Sequence, residues 1–91
     1  MLTIIDVWAP WCGPCKMMMP VIEKLAKEYN VEDSDINVVQ INADEDTETV
    51  EKYQIKGIPT LIFERDGEIL AREVGVRSEA DIRKIIEIFT T

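Results

Sequence analysis

Apolar residues at Leu2, Ile4, Ile5 and Val7 make a run dense enough for a strand covered on both faces, as in a parallel sheet flanked by helices. Asp6 is the one charge inside it. Trp8-Ala9-Pro10-Trp11 breaks the pattern, and Met18, Val21, Ile22, Leu25 and Tyr29 then recur at helical spacing to about Asn30. Pro14 suits the first turn of that helix, where its missing N–H has no intrahelical partner, whereas Pro20 falls inside and predicts a kink. Positions 31–35 read as an acidic loop, 36–43 as a second strand, and 47–53 as a short polar helix whose apolar contacts are Val50 and Tyr53. The strand-like stretches 60–63 and 69–74 flank Asp66-Gly67, a dipeptide favoured in tight hairpins, so they should pair antiparallel. Ser78 followed by Asp81 is a helix-start signature, and Ile82, Ile85, Ile86 and Phe89 give the closing helix one apolar stripe. The order βαβαββα predicts a single α/β domain over residues 1–91. Its four-stranded mixed sheet has flanking helices, and the first three strands need crossover connections supplied by helices.

Ninety-one residues suffice for one core without metals or several disulfides. Eighteen acidic against ten basic residues leave a formal charge of −8, which would repel a nucleic-acid backbone. Nothing approaches the roughly 20 apolar residues needed to span a bilayer, and Met1 leads directly into strand-like sequence without a signal-type segment. The expectation is a cytoplasmic protein that engages neither membrane nor nucleic acid.

The two cysteines lie three positions apart. Closing so short a loop would stabilise the fold by about 2 kcal/mol, near the low end for a disulfide, so chemistry explains the pair better than bracing does. In Trp11-Cys12-Gly13-Pro14-Cys15-Lys16 the first sulfur stands at a helix N-terminus, where free N–H groups and the helix dipole favour thiolate over thiol, with Lys16 adding a nearby positive charge. Cys12 is therefore the candidate nucleophile, and Cys15, one turn further in and more buried, the resolving thiol. Deprotonating Cys15 calls for a base, and the chain has no histidine. Asp6, a carboxylate in an apolar strand ending just before this loop, is the candidate; the plain alternative is a polar strand-end residue facing solvent. Structural zinc wants about four Cys or His ligands, and two cysteines supply only half a site. No metal or bound cofactor is expected beyond a redox-active Cys12–Cys15 disulfide.

The segment Val7-Trp8-Ala9-Pro10-Trp11-Cys12-Gly13-Pro14-Cys15-Lys16 is similar to the active-site segment of the thioredoxin family, and Gly57-Ile58-Pro59-Thr60 resembles that family's second signature. The likeness runs over essentially the whole chain. It implies a thioredoxin-like fold and reduction of protein disulfides through a Cys12–Cys15 dithiol cycle, reset by a thioredoxin-reductase-type electron donor. It implies a cis peptide before Pro59, with Trp11, Gly57, Ile58, Pro59, Gly75 and Val76 forming an apolar collar that docks disulfide-containing target proteins. Gly13, Pro14 and Lys16 would tune the cysteines. Asp6 matches the family's buried aspartate beneath the resolving cysteine.

Two departures stand out. The usual member has a further strand and helix ahead of the position where this chain starts, so four strands are expected and strand 36–43 should lie at an unprotected edge. A monomer with some tendency to self-associate through that edge follows. Gln40 stands where members commonly carry a lysine near the buried aspartate, so Asp6 should ionise less readily. Two rival functions remain: a glutaredoxin-like enzyme using glutathione, against which the Gly-Pro pair and the acidic composition count, and a thioredoxin-fold docking subunit whose cysteines are unused.

Overall fold

Seven elements follow one another: β1 (Leu2–Trp8), α1 (Gly13–Tyr29), β2 (Ile36–Asn42), α2 (Thr47–Lys52), β3 (Thr60–Arg65), β4 (Glu68–Val74) and α3 (Glu79–Thr90). The structure, a computed structural model, describes residues 1–91. The order is the one the sequence predicts, with strand and helix ends moved by one or two residues.

The strands lie in the order β2-β1-β3-β4. β1 and β2 are parallel, while β1/β3 and β3/β4 are antiparallel. A parallel crossover is thus needed only between β1 and β2, through α1, where the sequence pattern suggested crossovers among all three first strands. Helix α2 carries the chain from the β2 edge back over β1 to an antiparallel β3.

β1 is covered on both faces, which is why it reads as an almost unbroken apolar run. Its even positions Leu2 and Ile4 join Met18, Ile22 and Leu25 of α1, Leu61 and Phe63 of β3, and Ile82 and Ile86 of α3. Its odd positions Ile5 and Val7 meet Ile62 and Tyr53 on the other side. Each fully buried aliphatic side chain in these layers contributes about 1.5–3 kcal/mol. Pro20 lies on the exposed side of α1, and the helix continues through it. Arg83 of α3 bonds Glu28 of α1 at 2.7 Å and Glu79 at 3.0 Å, and Lys24 reaches Glu79 at 3.1 Å, lacing the outer surfaces of the two helices.

Local chemistry sets the element ends. Asp66 (φ 51°) and Gly67 (φ 86°) both take the left-handed conformation that a two-residue hairpin requires. Ser78 Oγ caps α3 by accepting the Asp81 N–H at 3.1 Å, and Asp46 caps α2 by accepting from Thr49 at 3.0 Å.

β2 lies at the sheet edge as expected, but the edge is not unprotected. β1 takes the hydrogen bonds of odd β2 positions, as the flanking bonds Leu2 N–H to Asp35 and Ala43 N–H to Trp8 show. Outward-pointing Ile36 has its N–H and C=O bonded to Ser34 Oγ at 3.1 and 3.0 Å. Outward-pointing Val38 donates to Asn30 Oδ1 at 2.7 Å and accepts from Asn30 Nδ2 at 2.8 Å. The Asn42 carbonyl accepts from the N–H groups of Glu45 and Asp46. Two polar side chains from the α1–β2 connection thus occupy the places a neighbouring strand would fill.

Candidate active site

β1 delivers the chain to the end of the sheet, and the turn Ala9-Pro10-Trp11 reverses it, with the Cys12 N–H donating to the Ala9 carbonyl at 3.1 Å. Cys12 keeps an extended backbone (φ −88°, ψ 106°) and forms the N-cap of α1. Its Sγ accepts the Cys15 N–H at 3.2 Å. Sulfur thereby takes the place of the usual capping oxygen, and Pro14 in the first turn removes a donor that would have gone unpaired. Cys12 and Cys15 are joined as a disulfide with their Cα atoms 5.3 Å apart. Cys12 is 4% and Cys15 1% exposed, so the expected order of burial holds by a small margin. They form one buried cluster with Ala9, against which Trp8 and Ile58 pack. Gly13, Pro14 and Lys16 are exposed around the pair.

The Ile58–Pro59 peptide is cis. The Pro59 carbonyl accepts the Gly75 N–H at 2.8 Å, joining the two loops that open and close the β3–β4 hairpin. Gly75 has φ 97°, a conformation that a side chain would strain. Exposed Val76 follows, and the Arg77 N–H then donates to Met18 Sδ at 3.3 Å, tying this loop to α1. Trp11 is 70% exposed, and its indole N–H reaches Asp44 Oδ1 at 3.1 Å. Trp11, Gly57 and Ile58 share one shallow, largely apolar recess with residues of the α2 region. Among the six residues expected as a collar, Ile58 packs against the cluster that holds the disulfide, Trp11 and Gly57 share its recess, Pro59 and Gly75 share a hydrogen bond, and Val76 stands exposed beside them. Asp44 and Arg77 were not singled out from the sequence, and Met18 was read only as part of the apolar stripe of the first helix. Their bonds join positions 33 and 59 residues apart, and no local pattern signals them.

Asp6 is 1% exposed, and neither carboxylate oxygen has a hydrogen-bond partner. Strand alternation puts it on the α1 face with Leu2 and Ile4. Cys15 belongs to the buried stripe of α1 with Met18, Ile22 and Leu25. Because α1 runs back against β1, its first turn lies toward the end of β1 that holds Asp6. Gln40, in register beside Asp6 on β2, is exposed and makes no bond to it. Burial with no compensating cation pushes the Asp6 carboxyl up to about 7. No group of three or more His, Cys, Asp or Glu is placed to hold a metal ion.

Residues 1–88 match the family model described as Thioredoxin. The thioredoxin of Staphylococcus saprophyticus is 40% identical over 86 residues, covering 94% of this chain and 80% of that protein. The thioredoxin of Bacillus subtilis is 39% identical over 85 residues, covering 93% and 79%. A solved structure of an asparagine-to-glutamine mutant thioredoxin from Halobacterium salinarum superposes with a TM-score of 0.84 at 37% identity, covering 99% of this chain and 75% of that one.

Proposed function

The chain belongs to the thioredoxin family and is a thiol–disulfide oxidoreductase with protein-disulfide reductase activity, and we propose that it works through Cys12 as nucleophile, Cys15 as resolving thiol and Asp6 as base. The observation that carries the assignment is Cys12 Sγ at the N-cap of α1, accepting the Cys15 N–H at 3.2 Å while bonded to Cys15. When the pair is reduced, the same N–H and the positive end of the helix stabilise a thiolate at that position. The whole-chain charge of −8 opposes a further anion, but distant charges are screened over about 8 Å at physiological salt, so the helix terminus dominates.

The cycle balances as follows. The Cys12 thiolate attacks one sulfur of a target disulfide, forming a mixed disulfide and releasing the other target sulfur as thiolate. Asp6 accepts the Cys15 proton, and the Cys15 thiolate attacks Cys12 Sγ. The second target thiolate leaves and the Cys12–Cys15 disulfide forms, two electrons having passed to the target. An electron donor of the thioredoxin-reductase type restores the dithiol. No bound cofactor is required, since the electron pair resides in the cysteines. Trp11, Gly57, Ile58, Pro59, Gly75 and Val76 form the docking surface, and Gly13, Pro14 and Lys16 tune the pair. The single domain 1–91 acts as a monomer in a reducing compartment, the cytoplasm; no helix is long and apolar enough to cross a membrane.

Two cysteine variants test the order of attack. Cys15→Ser should accumulate a mixed disulfide with a target protein, detectable by mass, while Cys12→Ser should form none; the reverse pattern would exchange the roles. Equilibration against a glutathione or dithiothreitol buffer, read by tryptophan fluorescence, tests direction. A potential near the roughly −270 mV of thioredoxin supports the reductase, and one near −120 to −180 mV an oxidant or isomerase.

A further inference from the structure

We propose that Lys56 and Arg72 form a carboxylate-binding subsite beside the redox centre, so that preferred target proteins carry an acidic residue in the segment flanking their disulfide. The inference rests on the reading of Cys12–Cys15 as the redox pair and adds the class of target to it.

A surface recess of about 500 Å³ is lined by Gln54, Lys56, Gly57, Thr60, Arg72 and Val74. It contains two cations and no carboxylate, in a chain where acidic residues outnumber basic ones 18 to 10. The ion pairs of the molecule engage Lys24, Arg77 and Arg83, leaving Lys56 and Arg72 without an acidic partner. Glu73, the acid next to Arg72, is held by Arg77 at 3.2 Å.

The fold brings the two cations together from separate elements. Gln54, in the left-handed conformation at φ 52°, turns the chain out of α2 and sends Lys56 toward the Gly57–Thr60 loop. The β3–β4 register sets Arg72 opposite Ile62, whose side chain belongs to the layer beneath α2, so Arg72 projects on the same side as Lys56. Gly57 lines the same recess, and a Cβ on it would come within ordinary contact of a Val74 methyl at 3.4 Å.

The same Lys56-Gly57 pair also bounds the apolar recess of about 170 Å³ that holds Trp11, Val50, Ile55 and Ile58. Lys56-Gly57 is therefore a ridge with an apolar hollow on the disulfide side and a dicationic one beyond it. An extended target segment crossing the ridge would seat an apolar side chain in the first and a carboxylate in the second. Glutathione also bears carboxylates, but it has no apolar side chain for the first hollow, so a protein segment is the occupant that fits both.

The test uses the pre-reduced protein with excess disulfide-closed peptides that differ at one position, next to an apolar residue flanking the cysteine: glutamate, glutamine or lysine. Half-saturating concentration and limiting rate are read from tryptophan fluorescence. We expect the glutamate peptide to half-saturate at about fivefold lower concentration than the glutamine peptide, with the same limiting rate and with lysine weakest. In Lys56→Gln combined with Arg72→Gln that ratio should fall to one, and in the parent protein it should shrink at high salt. Equal half-saturation for glutamate and glutamine in the parent, or a preference that survives both substitutions, would overturn the subsite. So would a glutathione mixed disulfide that shows the same dependence on the two cations as the glutamate peptide. Reduction of the glutamine peptide by the parent reports on the redox centre alone, which separates failure of the subsite from failure of the underlying reading.

Discussion

At the residue scale, Asp6 links stability and chemistry most directly. Its carboxyl is raised from 3.8 to about 7 by burial alone. The folded state therefore holds a proton that the unfolded chain releases at lower pH. The Asp6 contribution is most favourable below about pH 4 and is lost as pH rises through about 7, with an upper bound of about 4 kcal/mol. Asp6→Asn removes the titration and replaces the protonated acid by an amide that is equally without a partner, so little change is expected at pH 3 and a gain of up to about 4 kcal/mol at pH 8. Urea unfolding of both proteins at the two pH values measures it. The same substitution should slow release of target from the mixed disulfide and flatten the rise of that rate with pH between about 6 and 8. The position of Asp6 within an apolar strand was legible in the sequence. The absence of any partner for its oxygens was not, because it depends on what β2 and α1 bring to the same place.

At the element scale, legibility followed locality. The Asp66-Gly67 turn, the Ser78 cap and the α1 stripe each depend on residues within a few positions, and all three appear where the pattern put them. The direction of β3 depends on how a distant strand pairs, and the irregular register between Phe63 and Glu64 has no sequence marker. Closure of the β2 edge by Asn30 and Ser34 was likewise invisible, since Asn30 read simply as the end of the first helix and Ser34 as a position in an acidic loop. Gln40, with its N–H and C=O, and the Asn42 N–H are the outward β2 backbone groups left without such partners. Replacing Asn30 by Leu and Ser34 by Ala should add the backbone groups of Ile36 and Val38 to those already free, on a strand that contains no charge and no proline. We expect the double variant to lose about 1–3 kcal/mol and to become a concentration-dependent dimer in sedimentation equilibrium, while the parent stays monomeric. A monomeric variant would show that the two side chains do not guard the edge.

At the scale of the whole molecule, a chain with a radius of gyration of 12.3 Å concentrates its chemistry at one end of the sheet. The ends of β1 and β2, the start of β3 and the loop after β4 gather there around the cysteines. The opposite end is occupied by both termini: Met1, Leu2, Phe89, Thr90 and Thr91 line a single recess together with Arg65, the last residue of β3. The backbone is thus nearly a closed ring, and its point of opening lies far from the sulfurs. A circular permutant that joins Thr91 to Met1 through a short flexible linker and starts at Gly67 would cut the ring in an exposed turn instead. It should fold with a loss of about 1–2 kcal/mol, most of it from the severed hairpin, and reduce peptide disulfides at the parental rate. Chain direction would then be separable from redox function, because the site is assembled by the sheet rather than by the order in which its strands are made.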